Sequence, residues 1–246
     1  MRSVVIIPAR YNSSRFPGKP LVNLLGKPMV LWVARLSSDA VGRENVYVAT
    51  DDEVIFNTVS GAGFRAIMTS QQCLTGTDRI AEAAKKIKAD IYINVQGDEP
   101  LVDPEDIKKI IKEKQKNYTK VINGYCPISS RENPNDINIP KVAFNENGKL
   151  IYMSRKAIPG VKDSTNNVVK YYKQVCIYAF TANELENYEA YGRKSTLEQL
   201  EDIEIIRFLE WNQEIKMVET KPNSLAVDTP EDIFTVEKAL KKSLEC

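Results

Sequence analysis

Along its first 125 residues the chain repeats one rhythm, a short apolar run followed by a stretch with helical spacing. Apolar runs at Val4–Pro8, Val46–Thr50, Ala66–Met68, Ile91–Gln96 and Val121–Tyr125 predict strands; Met29–Ser38, Val54–Ala62, Thr77–Lys88 and Pro104–Lys116 predict helices. Strands joined through helices run parallel, and a parallel sheet covered on both faces needs strands that are apolar throughout. The rhythm therefore predicts an α/β fold: a mainly parallel sheet with helices on both faces. In such sheets ligands bind at the carboxyl ends of the strands, so the residues that follow each apolar run carry the functional argument.

The rhythm stops after Cys126. Residues 131–140 are rich in Asn and Pro, and Lys141–Phe144 with Lys149–Met153 around Asn145-Glu-Asn-Gly148 predict an antiparallel hairpin. Asp163–Asn167 reads as a polar loop, and Thr196 to about Trp211 as one helix burying Leu197, Leu200, Ile203, Ile206 and Phe208 or Leu209. A last helix starts near Pro230. The expectation is one catalytic domain over residues 1–246 with an inserted, hairpin-containing lobe at about 126–180.

Composition narrows the chemistry. Lys+Arg 34 against Asp+Glu 33 gives a net charge of +1, which favours neither nucleic acid nor an anionic membrane. No apolar run approaches the ~18 residues of a membrane span, and no secretory leader precedes the first strand. Cys73, Cys126, Cys176 and Cys246 are scattered, which suits reduced thiols and a cytoplasmic setting. Histidine is absent, so Ser-His-Asp and Cys-His catalysis and His-ligated metals are excluded. Carboxylates on Mg2+ remain open.

The first strand runs straight into a loop that carries Arg10, Arg15 and Lys19 among the small residues Ala9, Ser13, Ser14 and Gly18. Three cations on a tight loop at a strand's carboxyl end suit a polyphosphate; a solvated basic loop is the plainer account. Neither G-x-G-x-x-G nor the P-loop pattern is present, which argues against a dinucleotide fold or a Walker ATPase. The strand at Ile91 ends in Gln96-Gly97-Asp98-Glu99, where Asp98 would face that loop, as a metal carboxylate or as a simple turn residue. In Val227-Asp-Thr-Pro-Glu-Asp232, Thr229, Pro230 and Asp232 suffice to start a helix, which leaves Asp228 as a second metal carboxylate or as part of the turn. Gly76 and Thr77 sit at a helix start whose N–H groups can meet a base or an anion, with Thr77 as an ordinary N-cap the alternative. The acids of Val48-Ala-Thr-Asp-Asp-Glu53 read as helix-start chemistry. Arg155 could grip a substrate carboxylate or be a surface arginine, and Glu204 with Arg207 could be a solvated helix pair.

Taken in order, Ile7-Pro-Ala-Arg-Tyr11, Phe16-Pro-Gly-Lys-Pro-Leu21, Gly26-Lys-Pro-Met29, Val48-Ala-Thr-Asp51, Gly76-Thr-Asp-Arg79, Asn94-Val-Gln-Gly-Asp-Glu-Pro100, Ser154-Arg155 and Val227-Asp-Thr-Pro-Glu-Asp232 resemble the CMP-Kdo synthetases (3-deoxy-manno-octulosonate cytidylyltransferases) over nearly the whole chain. The resemblance implies a Rossmann-like fold, a homodimer, transfer of CMP from CTP to an acidic sugar with Mg2+, and a role for the lobe at about 126–180 in sugar binding and dimerisation. It implies that Arg10 and Lys19 bind CTP phosphates, that Asp98 and Asp228 hold the metal, and that Ala9, Gln96, Gly76 and Thr77 line the nucleotide. Arg10, Lys19 and Asp98 would be catalytic, and Arg155, Gln174, Tyr178 and Glu204 would surround the sugar acid. The departures fall on the sugar side: Gln174 and Cys176 stand for the family's histidine and glycine, Ile205 for a glutamine, and Cys73 for another histidine. The sequence thus predicts a cytidylyltransferase with Kdo as its nearest acceptor; the alternatives are a different acidic acceptor or a non-catalytic nucleotide-binding protein.

Overall fold

Val4, Val5, Ile6 and Ile7 have no solvent exposure, so both faces of the first strand are covered and it must lie inside the sheet. The computed structural model describes residues 1–12, 16–130, 132–162, 169–222, 225–227 and 229–244. The loop expected at Asp163–Asn167 lies outside them. In chain order the elements begin with β1 (Ser3–Ala9), a small hairpin of β2 (Asn23–Leu24) and β3 (Lys27–Pro28), α1 (Met29–Val41), β4 (Val46–Thr50), α2 (Glu53–Gly61) and β5 (Arg65–Met68). Then follow α3 (Gly76–Ala84), β6 (Ile91–Val95), α4 (Pro104–Lys116), β7 (Val121–Pro127), β8 (Lys141–Phe144), β9 (Leu150–Ser154) and β10 (Tyr172–Phe180). The chain closes with α5 (Ala182–Ala190), α6 (Thr196–Glu201), α7 (Ile206–Glu210), β11 (Ile215–Glu219) and α8 (Asp232–Leu244).

The main sheet runs β11-β7-β10-β6-β1-β4-β5. β1 is parallel to β4 and β6, β4 to β5, and β7 to β11; β10 is antiparallel to both its neighbours. From β1 the chain builds outward through β4 and β5, then returns to lay β6 on the other side of β1. The crevice at the carboxyl ends of β1 and β6 is thus the topological switch point of the sheet. Alternate residues of β1 feed the two apolar layers. Val4 and Ile6 meet Ile80 of α3, Leu185 and Tyr188 of α5, and Phe208 of α7 in one cluster. Val5 and Ile7 meet Val30 and Val33 of α1, Ile55 of α2, and Ile107 and Ile110 of α4 in the other.

Local chemistry starts the helices where the sequence indicates. Asp52 caps α2 by accepting from the N–H groups of Val54 and Ile55, and Asp103 with Pro104 opens α4. The hairpin of β8 and β9 forms around Asn145–Gly148 as expected, and it joins the main sheet where β8 meets β10.

Residues 196–211 depart from the sequence reading. The single helix is broken: α6 ends at Asp202, whose left-handed conformation (φ 50°, ψ 48°) turns the chain before α7. Leu197 and Leu200 consequently sit on the exposed side of α6 (38% and 77% exposed), while Ile203, Ile206 and Phe208 enter the core. The sequence reading misses β10 and β11 of the main sheet, the small hairpin of β2 and β3, and helix α5. No helix among the described residues is long and apolar enough to cross a membrane.

Candidate active site

The carboxyl ends of β1 and β6 open into two adjoining hollows of about 710 and 380 Å3. Arg10, Gln96, Asp98, Asn138, Arg155 and Asp202 line both. β1 stops at Ala9, and the exposed Arg10 follows immediately. The loop then doubles back through hydrogen bonds from Gly18 N–H to the Tyr11 carbonyl (2.8 Å) and from Lys19 N–H to the Phe16 carbonyl (3.2 Å). Gly18 takes φ 71°, a conformation that favours glycine, and this turn delivers Lys19 to the strand ends. Arg15 lies outside the described residues.

On the facing strand, Gly97 lets β6 close against β1, since a Cβ there would stand 2.9 Å from the Pro8 carbonyl oxygen. Asp98 follows, and Lys19 Nζ donates to its Oδ2 at 2.5 Å. The residue before Asp228 is tied to the same point, for Val227 N–H donates to the Asp98 carbonyl at 3.0 Å. Asp228 itself is outside the described residues. Beyond it Thr229 N–H donates to the Asp232 carboxylate at 2.8 Å, one half of the capping box that the sequence indicates, although α8 begins at Asp232 and not at Pro230. Among the described residues no group of three or more Cys, Asp or Glu side chains is arranged to hold an ion.

The start of α3 forms the next wall. Its cap is Thr75, which accepts from Asp78 N–H; Thr77 is not the cap but lies inside the first turn, fully buried. The Thr77 N–H donates to Glu204 Oε2 at 2.9 Å, and Gln96 Nε2 donates to Glu204 Oε1 at 2.9 Å. The anion at this helix start is therefore the chain's own Glu204. Gly76 makes the approach possible, because a Cβ would lie 3.1 Å from Gln96 Nε2 and 3.4 Å from Glu204 Oε2. Burial raises the Glu204 pKa above the ordinary carboxylate range, and the charges of Asp78 and Glu198 add to the rise while the bonds from Thr77 oppose it.

Arg207 does not pair with Glu204. It is fully buried and forks onto Glu198, with Nε to Oε2 and Nη2 to Oε1 both at 2.7 Å, while Nη1 reaches Asp78 Oδ1 at 2.8 Å. The Tyr188 ring lies beneath the guanidinium at 3.7 Å. Because Asp202 breaks the helix, these partners come from α3 and α6 instead of from the next helical turn.

The remaining wall is built on the hairpin and β10. Arg155 donates to the carbonyls of Glu201 (2.5 Å), Ile137 (2.8 Å) and Asp202 (2.9 Å), which fixes its fork at the meeting of the two hollows. Gln174 is buried and donates to Asn123 Oδ1 at 3.2 Å. Asn123 in turn donates to the Val175 and Ile177 carbonyls across a bulge in β10, at 2.9 and 3.2 Å. This bulge presents Cys176 and Tyr178 to the larger hollow, and burial raises both pKa values well above their usual ranges. Cys73 lines the same hollow, its thiol pushed up to about 12 by burial and by the bond to Glu82. Ile205 lines neither hollow; it is fully buried in the core, so its replacement of a polar residue does not alter the wall.

The structure thus brings Ala9, Arg10, Lys19, Gln96 and Asp98 together at one end, and Gly76, Thr77 and Glu204 at the other. Arg155, Gln174 and Tyr178 complete the rim. Asn123, Asn138, Asp202 and the Lys173–Glu132 pair are additional parts of this wall or its support. Only Asn123 left a mark in the sequence, as a lone amide in an apolar strand.

A family model described as Cytidylyltransferase matches residues 4–217. An 8-amino-3,8-dideoxy-manno-octulosonate cytidylyltransferase of Shewanella putrefaciens is 42% identical over 250 residues, covering 99% of this chain and 100% of the relative. The Shewanella oneidensis protein with the same description is 39% identical, covering 98% and 99%. Among solved structures, a CMP:2-keto-3-deoxy-manno-octonic acid synthetase complexed with CTP superposes with a TM-score of 0.90 at 35% identity, covering 99% of this chain and 100% of that one. The inositol-1-phosphate CTP transferase of T. maritima shares the fold, with a TM-score of 0.72 at 15% identity and coverage of 98% and 96%.

Proposed function

The chain belongs to the cytidylyltransferase family, and we propose that it transfers CMP from CTP to the anomeric hydroxyl of a 3-deoxy-manno-octulosonic acid, releasing pyrophosphate. Kdo and its 8-amino derivative are the acceptors of that class suggested by the relatives. The observation that carries this reading is the Lys19–Asp98 pair, 2.5 Å across, where the hollows meet. It sets a phosphate-binding cation beside a carboxylate at the switch point of the sheet.

In this reading Arg10 and Lys19 hold the CTP phosphates, and Lys19 exchanges Asp98 for a phosphate oxygen when the nucleotide enters. Ala9, Gln96 and the start of α3 at Gly76 border the nucleotide, while Thr77, fully buried with its N–H on Glu204, supports that wall from behind. Arg155, already fixed by three carbonyls, faces the acid's carboxylate. Gln174, Tyr178 and Glu204 border the sugar. The anomeric hydroxyl attacks the α-phosphorus in line, its proton passes to solvent, and the α–β phosphoanhydride bond breaks. Arg10 and Lys19 stabilise the charge that collects on the departing pyrophosphate. Mg2+ fits the donor set: Asp98 offers hard oxygens at the phosphate end, and the segment leading to Asp228 is bonded to Asp98's backbone. Asp98 and Asp228 would hold it, and when bound it would neutralise phosphate charge and acidify the attacking hydroxyl. The working assembly in this reading is a homodimer.

Pyrophosphate release with CTP and either acid tests the proposal. Turnover should stop on chelation, return with Mg2+, and favour CTP over the other nucleoside triphosphates. Asp98→Asn and Asp228→Asn should each lower kcat about a hundredfold, roughly 3 kcal/mol in the barrier. Equal use of all four nucleotides, or full activity in chelator, would refute it.

A further inference from the structure

We propose that Glu237, on the last helix, is a positioning residue for the nucleotide: through the β2–β3 hairpin it holds the turn that carries Lys19 against the strand end that carries Asp98. The inference rests on the placing of the CTP phosphates proposed above, and adds to it a residue that lines neither hollow. Beside the two apolar layers on the sheet there is a third cluster, with Leu24, Met29, Trp32, Val227, Val236 and Leu240 buried in it. It adjoins the phosphate end, for Met29 lines the smaller hollow together with Lys19 and Asp98. Phe16 and Val22, on either side of Lys19, pack on the cluster, as does Leu101, which follows Asp98 in the chain. Val227 enters it from a third segment, and its N–H meets the Asp98 carbonyl. Helix α8 closes the cluster with Ile233, Val236 and Leu240, which share one helical face.

From the same helix Glu237 reaches the hairpin, where its Oε1 accepts from the Leu25 N–H at 2.9 Å. The bond falls where the backbone is strained. Leu24 pairs with Lys27, so Leu25 and Gly26 form a two-residue turn, and both take positive φ, 52° and 83°. Glycine adopts this conformation readily; leucine does so at a cost, and keeps it only where its neighbours impose it. Two bonds impose it here, the one to Glu237 and the one from Trp32 Nε1 to the Leu24 carbonyl at 2.8 Å. Main-chain bonds carry the constraint on to Lys19. Met29 N–H donates to the Val22 carbonyl at 2.8 Å, and Val22 N–H donates to the Lys19 carbonyl at 3.1 Å. Without Glu237 the Leu25 N–H loses its partner and the turn relaxes. Lys19 is then no longer set in place before CTP arrives, and binding must supply that ordering.

The experiment titrates CTP calorimetrically with Mg2+ present, and measures KM for CTP and for the acceptor acid, in the native enzyme and in variants of this contact. Glu237→Ala should weaken CTP about tenfold and leave the acceptor KM within about twofold, because Arg155 is held by Glu201, Ile137 and Asp202 and not by the hairpin. Glu237→Gln keeps an oxygen for the Leu25 N–H and should restore most of the affinity. Leu25→Gly removes the strain, so Glu237→Ala placed on it should weaken CTP less than about threefold. If Glu237→Ala alone does not fold, Trp32→Phe removes the other bond to the hairpin, keeps a ring in the cluster, and should show the same selective loss. Unchanged CTP affinity in Glu237→Ala overturns the inference, as do equal losses for CTP and acceptor, or a Glu237→Gln as weak as Glu237→Ala. A full loss on the Leu25→Gly background overturns it too. A native enzyme that binds no CTP is a different result, and removes the nucleotide reading along with this one.

Discussion

Arg207 shows how far a single side chain can differ from its local sequence context. Three residues after Glu204, it suggests a helix-surface pair; in the structure it lies fully buried between Glu198 and Asp78 with Tyr188 beneath it. Removing the guanidinium would leave two carboxylates facing each other in the interior. Arg207→Met should therefore lower the unfolding free energy by about 3–5 kcal/mol, read from urea denaturation. Arg207→Lys should restore only part of this, since an ammonium cannot fork onto both Glu198 oxygens. A loss under about 1 kcal/mol would mean that the network is not held by the guanidinium. No local pattern reveals the pairing with Asp78, which lies 129 residues away. Arg10, Lys19 and Asp98 were legible for the opposite reason. Each follows an apolar run or its loop, and the carboxyl ends of parallel strands must share one edge, so the sequence alone sets them on the same side of the molecule.

Among the elements, the strands of the first half could be read because each is a mostly apolar run. β10 could not, because its bulge shifts the register between Val175 and Tyr178 and its polar residues fall on no regular alternation. β11 is short and mixed, Ile-Lys-Met-Val-Glu, and pairs only at the sheet's edge. The broken helix at 196–211 hid for a related reason: its apolar spacing is helical throughout, but Asp202 interrupts the backbone and releases Leu197 and Leu200 to the surface. The β10 bulge stays closed through Asn123, whose amide spans the carbonyls of Val175 and Ile177. Asn123→Leu should strand both carbonyls. Leaving one such group unpaired costs about 1–3 kcal/mol, so we expect a loss of about 2 kcal/mol and a fall in Tm of about 4–8 °C in a thermal scan. Because the bulge carries Cys176 into the hollow, the KM for the acceptor should rise as well. An unchanged Tm would show that the bulge holds itself together without the amide.

At the scale of the whole molecule the resemblance implies a homodimer, and the surface offers a place for one. Ile137, Ile151 and Leu200 are 59%, 63% and 77% exposed, on segments that are bound to one another. Glu201, next to Leu200, accepts from Ser154 Oγ at 2.7 Å and from Arg155 N–H at 2.8 Å, and Arg155 donates to the Ile137 carbonyl at 2.8 Å. Large exposed apolar side chains on adjoining segments offer surface for association. A two-fold pairing through this region would also brace Arg155 and Asp202, which line both hollows, so assembly and acceptor binding would share one support. Light scattering after size exclusion should give twice the 27.8 kDa chain mass at micromolar concentration. Leu200→Glu combined with Ile151→Lys should shift it to the monomer and raise the KM for the acceptor more than that for CTP, because the region adjoins Arg155. A native monomer at these concentrations, or a double variant that stays dimeric, would move the interface elsewhere or remove it.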